Sequence, residues 1–109
     1  MKRPKYHNHK TIIDGVQFDS KKESKRWTEL QLLERAREIS DLRRQVRLDL
    51  HGRDGVVMYS NGRVAHVIAD FAYVENGQQV YEDTKGFQSP KSKLQHAILR
   101  AQGIKIRIS

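Results

Sequence analysis

Two aspartates and a lysine stand where a predicted hairpin brings them to one face: Asp70, Asp83 and Lys85. They lie in Val67-Ile68-Ala69-Asp70-Phe71-Ala72-Tyr73-Val74-Glu75-Asn76-Gly77-Gln78-Gln79-Val80-Tyr81-Glu82-Asp83-Thr84-Lys85-Gly86. Asn76-Gly77 between apolar strand residues is the strongest short-range hairpin signal. With those two residues as the loop, Glu75 pairs with Gln78, Phe71 with Glu82 and Asp70 with Asp83. Directly opposed residues hold their Cβ atoms about 4.5–5.5 Å apart on one face. Two like charges at that spacing repel, so stability alone disfavours the pairing. A divalent cation between them reverses the sign, because hard cations are held by clustered carboxylate oxygens. Lys85 follows Asp83 by two residues, and the period of two puts it on the same face. The plainer alternative is two surface acids bridged to neighbouring Arg or Lys, with Lys85 as one such partner.

Other elements must position this group. Ser20 to about Glu38 reads as a helix, with Ser20 as N-cap and Glu23 completing a capping box. Trp27, Leu30 and Leu33 form its apolar stripe. Glu23 precedes Trp27 by four residues and Leu30 by seven, so it points along the same inward face, which is unusual for a carboxylate. Glu34 also lies near that face, so position alone does not single out Glu23. Asp41 to Leu50 reads as a strand with Leu42, Val46, Leu48 and Leu50 on one side. Asp54-Gly55 marks a turn, Val56 to Tyr59 a short strand, and Asn61-Gly62 a second hairpin turn. Arg63 to Val74 and Gln78 to Thr84 are the long strands, and Gly86 to Ser89 is a loop. A second helix runs from Pro90 to about Gln102, capped by Ser89 with proline at its first position and ended by Gly103. Leu94, Ala97, Ile98 and Ala101 are its expected buried stripe; Lys91, Lys93, His96 and Arg100 form its polar side. Ile104, Ile106 and Ile108 alternate with Lys105 and Arg107 in a last strand. Thr11 to Ile13 and Val16 to Phe18 flank Asp14-Gly15 as a small hairpin. This order predicts an α/β fold, a central mixed β-sheet with antiparallel hairpins flanked by two helices. Residues 1–10 read as a basic flexible arm and residues 11–109 as one domain.

The chain has 109 residues, with 21 Lys plus Arg against 13 Asp plus Glu, a formal charge of +8. A surplus of that size points to a polyanionic partner, and nucleic acid is the simplest. Lys21, Lys22, Lys91, Lys93 and Arg100 are the candidate DNA contacts; for the second helix a merely solvated face is an equal alternative. There is no cysteine, which excludes disulfides and thiolate metal sites. No apolar run approaches the ~18 residues that span a membrane. Met1-Lys2-Arg3-Pro4-Lys5 is not followed by an apolar stretch, so it is not read as a secretory signal. An intracellular, cytoplasmic setting without membrane partners is the expectation.

Three blocks, Phe18-Asp19-Ser20-Lys21-Lys22-Glu23, Ala69-Asp70-Phe71 and Asp83-Thr84-Lys85-Gly86, resemble the PD-(D/E)XK nuclease superfamily. Within it the chain is most similar to the junction-resolving endonuclease I branch of phages. It also resembles a family of small phage and prophage proteins of unknown function carrying the same blocks. The likeness runs from Lys10 to Ile108 and is most specific at Ala69 to Gly86. Ala69 replaces the usual proline, and Asp83 replaces the usual glutamate, although Glu82 stands beside it. Glu82 faces the other side of the strand, so Asp83 is chosen; a bulge would exchange the two.

The resemblance implies a restriction-endonuclease-like core and a Mg²⁺-dependent endodeoxyribonuclease for which Mn²⁺ substitutes. Its substrate would be branched or junction DNA, cut to leave a 5′-phosphate and a 3′-hydroxyl. Glu23, Asp70, Asp83 and Lys85 would be catalytic; Glu23, Asp70, Asp83 and the Thr84 carbonyl would hold metal. A small chain carries one active site and junction resolution needs two cuts, so the resemblance also implies a homodimer, phage- or prophage-encoded and working in the bacterial cytoplasm. The rival class is a non-catalytic DNA-binding subunit or inhibitor that retains the fold. An RNA-directed protein is a third reading, disfavoured by the lack of an aromatic base-stacking cluster.

Overall fold

Asn76-Gly77 turns the chain between its two central strands, both residues in the left-handed region at φ 51° and 77°, as a type I′ loop requires. A computed structural model describes residues 11–13, 16–18, 20–85 and 89–109. The 1–10 arm, the Asp14-Gly15 turn, Asp19 and residues 86–88 of the predicted loop lie outside the described residues.

In chain order the elements are β1 (Thr11–Ile13), β2 (Val16–Phe18), α1 (Lys21–Arg35), β3 (Ser40–Asp49), β4 (His51–Gly52), β5 (Gly55–Val56), β6 (His66–Glu75), β7 (Gln78–Asp83), α2 (Pro90–Ala101) and β8 (Ile106–Ile108). The central sheet has four strands in the order β3-β6-β7-β8. β3, β6 and β7 are antiparallel neighbours. β8 runs parallel to β7, with Asp83 beside Ile108, so the sheet is mixed, as expected. The β1–β2 hairpin forms, and Met58 bridges Val64 across the Asn61-Gly62 turn.

The caps explain where the helices begin and end. Ser20 Oγ accepts the Glu23 amide at 3.1 Å, and Ser89 Oγ accepts that of Ser92 at 3.0 Å. α1 stops at Arg35 rather than near Glu38. Arg37 adopts φ 62°, and the amides of Arg37 and Glu38 return to the carbonyls of Glu34 and Leu33. That is a Schellman closure without glycine. Gly103, at φ 88°, closes α2 the same way, with Ile104 N–H returning to the Leu99 carbonyl.

Trp27, Leu30 and Leu33 of α1 pack on Phe71, Tyr73, Ile39, Leu42 and Val80. Trp27 stacks on Phe71 at 6.0 Å between ring centroids. A second cluster joins Leu99 of α2 and Ile106 of β8 to Leu48, Leu50, Ala65, Val67 and Ala69. The stripe expected for α2 is corrected here. Leu94 is 63 % exposed, Ala97 and Ala101 are exposed, and only Ile98 of the four is half-buried. The buried residues are His96 and Leu99, with Ser92 half-buried one turn before. The helix is turned so that Ser92 and His96 face inward beside Leu99.

Candidate active site

The observed register places Phe71 opposite Glu82, so Asp70 and Asp83 meet at the next step, where the ladder ends. The Asp70 amide donates to Asp83 Oδ1 at 2.8 Å. The Thr84 amide and hydroxyl donate to Asp70 Oδ2 at 2.9 and 3.1 Å. Each carboxylate is therefore oriented by the chain that carries the other. Asp83 is buried. That burial pushes its carboxyl above the ordinary aspartate range, aided by the charge of Asp70 and only partly offset by the Asp70 amide. Asp70, Asp83, Lys85, Ile68, Ser89, Ser92 and His96 line one open cavity of about 390 Å³. Lys85 is exposed on its rim.

Glu82 lies on the other side of the strand and is fully buried. Arg26 of α1 grips it with two hydrogen bonds of 2.7 and 3.0 Å, and the Tyr73 hydroxyl adds one of 2.6 Å. Burial alone would raise its pKa, but these donors outweigh burial and hold the carboxyl below its usual range. This clamp ties α1 to β7 directly beneath Asp83.

Glu23 is buried, as its inward position predicts, at 2 % exposure. It is not among the residues that line the aspartate cavity. Its Oε1 accepts from Gln45 Nε2 at 3.1 Å and lies 3.5 Å from Arg44 Nη2. Arg44 stacks over Phe18, 4.2 Å from the ring centre. Arg44 pairs with Phe71 and Val46 with Ala69, so Gln45 stands opposite Asp70. Gln45 holds φ 52°, an uncommon conformation for a residue with a Cβ. The strand is kinked at the position facing Asp70, and the kinked residue carries Glu23. Among the described residues no group of three His, Cys, Asp or Glu side chains is drawn together as a metal site.

His96 departs furthest from its expected place. Read as part of a polar outer face, it is 8 % exposed. Its Nδ1 lies 2.7 Å from the Ser92 carbonyl and its Nε2 3.6 Å from Asp83 Oδ2. The signal for this was its spacing, four residues after Ser92 and three before Leu99. Preferring apolar residues for the stripe hid it. For Gln45, Arg44 and Arg26 the sequence carried no such signal.

The family described as protein of unknown function, DUF1064, matches residues 3–109. The chain belongs to that family. No curated protein and no solved structure matches it significantly.

In this DUF1064 protein the five candidate DNA contacts fall into two groups. Lys21 and Lys22 are exposed at the start of α1. Lys22 joins Lys25, Arg26, Glu29, Thr84 and Ser109 around a second cavity of about 360 Å³. Lys91, Lys93 and Arg100 are exposed on α2, with Lys91 Nζ 5.7 Å from the Tyr59 ring centre. Among the described residues, no helix is long and apolar enough to cross a membrane. The donors at the aspartate pair suit a hard cation such as Mg²⁺, which binds one or two carboxylates and completes its shell with water and substrate phosphate. Two oxygen-bearing side chains oriented by backbone amides meet that requirement without a third.

Proposed function

We propose that this DUF1064 protein is a metal-dependent DNA endonuclease with a restriction-endonuclease-like core, related to the PD-(D/E)XK nucleases. The observation that carries the reading is the interlocked pair Asp70 and Asp83, with Lys85 on the rim of the same cavity. A protein under selection for stability alone gains nothing from opposing two carboxylates, one of them buried. Asp70 and Asp83, with the Thr84 carbonyl, would hold Mg²⁺ or Mn²⁺. When bound, such an ion supplies Lewis acidity at a phosphoryl oxygen and lowers the pKa of water.

The chain's own groups do the rest. Asp70 and Asp83 present oxygens already oriented by the amides of Thr84 and Asp70. Lys85 orients the attacking water or offsets charge developing on the phosphoryl oxygens during in-line displacement. The Arg26–Glu82 clamp holds β7 in register beneath Asp83. Lys21, Lys22, Lys91, Lys93 and Arg100 would bind flanking phosphates, which orient DNA without reading its sequence. Branched DNA as substrate, a homodimer to cut it twice, and a phage or prophage protein acting in the bacterial cytoplasm complete the proposal.

One observation favours a second reading. Glu23 is engaged by Gln45 and Arg44 and does not line the cavity. A non-catalytic DNA-binding protein that kept the fold would tolerate that arrangement. Nicking of supercoiled plasmid in Mg²⁺, against EDTA, decides between them. The enzyme reading expects nicking that Asp70→Ala abolishes. Tight DNA binding with no nicking in Mg²⁺ or Mn²⁺ would establish the second reading.

A further inference from the structure

Two arginines of β3 flank Asp70. Arg43 stands opposite Ala72 and Arg47 opposite Ile68 in the register with β6. Directly opposed residues of an antiparallel pair share a face, and Asp70 lies midway between Ala72 and Ile68. The period of two therefore sets both arginines on the Asp70 face, one on each side of it and about 13 Å apart along the strand. That face is the reverse of the one α1 covers, where Phe71 and Tyr73 pack with Leu30 and Arg26 holds Glu82. β3 is an edge strand of the sheet. Along it Leu42, Arg44, Val46 and Leu48 are half-buried or buried, whereas Arg43 and Arg47 are open to solvent, with side chains 45 and 55 % exposed.

The partners these arginines hold are surface neighbours. Arg47 Nε donates to Asp49 Oδ1 at 2.7 Å. Arg43 Nη2 donates to Gln79 Oε1 at 3.3 Å, and its Nε lies 3.6 Å from Asp41 Oδ2. Ion pairs between exposed groups are weak and screened by salt, so an arriving phosphate displaces them readily. A guanidinium then offers parallel N–H donors in the fork geometry that suits a phosphate. Ile68, across from Arg47, lines the cavity that holds Asp70, Asp83 and Lys85 and is 48 % exposed. An aliphatic side chain left in solvent at that point suits the apolar flank of a sugar. Ser89 and Ser92, at the start of α2, line the same cavity, and Lys91 and Lys93 are exposed on that helix. A polyanionic strand crossing the cavity thus meets cations from both β3 and α2.

We propose that Arg43 and Arg47 are positioning residues that grip the DNA backbone on either side of the phosphate at Asp70 and Asp83, so that the outer face of β3 forms one wall of the DNA path. This rests on the DNA-directed reading of the protein and adds contacts beyond the five cations of α1 and α2. The occupant is the phosphate backbone of a DNA strand, because guanidinium groups beside one aliphatic side chain recognise phosphate and sugar and carry no sequence information. Binding on this face is independent of sequence and strongly dependent on salt.

The test measures binding, not cleavage. Affinity for a fluorescent linear duplex is followed by anisotropy in Ca²⁺ across a salt series, for the full chain and two charge-matched variants. Arg43→Ala combined with Arg47→Ala removes the proposed wall. Arg35→Ala combined with Arg53→Ala removes two exposed cations from the end of α1 and the β4–β5 turn. In the first variant affinity should fall at least ~10-fold at low salt and the salt slope flatten by about one to two units, while the second stays near wild type. Equal losses in both variants would reduce the effect to net charge and overturn the proposal. An unchanged slope in the first variant would overturn it too and leave the nuclease reading standing, whereas a wild type that binds no DNA would remove both. A second measurement needs no variant: phenylglyoxal modifies exposed arginines of the wild type with and without duplex, and the modified peptides are read by mass spectrometry. DNA should protect Arg43 and Arg47 and leave Arg35 and Arg53 reactive. Arg43 and Arg47 that stay reactive in the complex would overturn the proposal even if the double variant fails to fold.

Discussion

Replacing Asp83 with asparagine should strengthen the fold in EDTA and weaken it, relative to wild type, in Mg²⁺. Asparagine keeps an oxygen to accept the Asp70 amide, now bonded to Asp83 Oδ1 at 2.8 Å. It turns an NH₂ toward His96 Nε2 and removes one of two opposed charges. Directly opposed like charges cost up to about 1 kcal/mol on a sheet surface. Asp83 is withdrawn from water at 9 % exposure, so the gain should be about 1–1.5 kcal/mol. For a domain near 100 residues that is a rise of roughly 4–8 °C in Tm. The pH dependence follows from the raised pKa of Asp83. A protonated Asp83 favours the folded chain. That contribution is complete below the unfolded-state pKa and is lost as pH rises through the higher folded-state value. The variant's advantage should therefore be full at neutral pH and close as pH falls toward the ordinary aspartate range. Mg²⁺ at ~100 times its dissociation constant should stabilise the wild type by about 2.7 kcal/mol. The variant lacks one ligand, so the order of the two proteins inverts. Thermal unfolding by circular dichroism in EDTA and in Mg²⁺ reads both arms. A variant less stable than wild type in EDTA, or an equal Mg²⁺ shift in both proteins, would refute the reasoning.

Asp70→Ala, Asp83→Ala and Lys85→Ala should each slow Mg²⁺-dependent DNA hydrolysis by at least ~100-fold while binding in Ca²⁺ persists; full activity in any two of them, by plasmid nicking, would remove the catalytic assignment. Arg26→Ala should destabilise the fold by about 3 kcal/mol in urea unfolding, because it leaves the Glu82 carboxylate buried without its guanidinium. Since the Glu82 pKa is lowered in the fold, its contribution is present above the unfolded-state pKa and lost as pH falls through the folded value. The cost of Arg26→Ala should therefore shrink in acid; a constant cost would mean that packing, not charge, links α1 to β7. Replacing Lys91 and Lys93 by alanine should weaken binding to a four-way junction and a linear duplex alike. It should flatten the salt dependence by about one to two units, near 0.9 for each phosphate no longer neutralised; an unchanged slope in a salt titration would make this face solvated only.

Local chemistry was enough for much of this protein. Asn76-Gly77 accepts positive φ, and from that one turn the two-residue period carries the register back to Asp70 and Asp83. The Ser20 and Ser89 caps and the Gly103 stop were legible for the same reason: each is set by hydrogen bonds within a few residues. The side of β7 on which Glu82 falls is likewise a matter of alternation.

What depended on tertiary structure is how the elements rotate and kink against one another. α2 carries two candidate inward stripes, one apolar and one containing His96, and hydrophobicity favours the first. The second is the buried one because Leu99 packs into the core while His96 meets Asp83. Glu23 could be placed on an inward face but not given a partner. Two of its partners, Gln45 and Arg44, come from β3, and the φ of 52° at Gln45 has no glycine to announce it. Arg26 reads as one more exposed helix cation until β7 delivers Glu82 to it, 56 residues along the chain. Periodicity assigns a side chain to a face. Whether that face meets core, carboxylate or water depends on a neighbour distant in sequence, and only the folded chain supplies it.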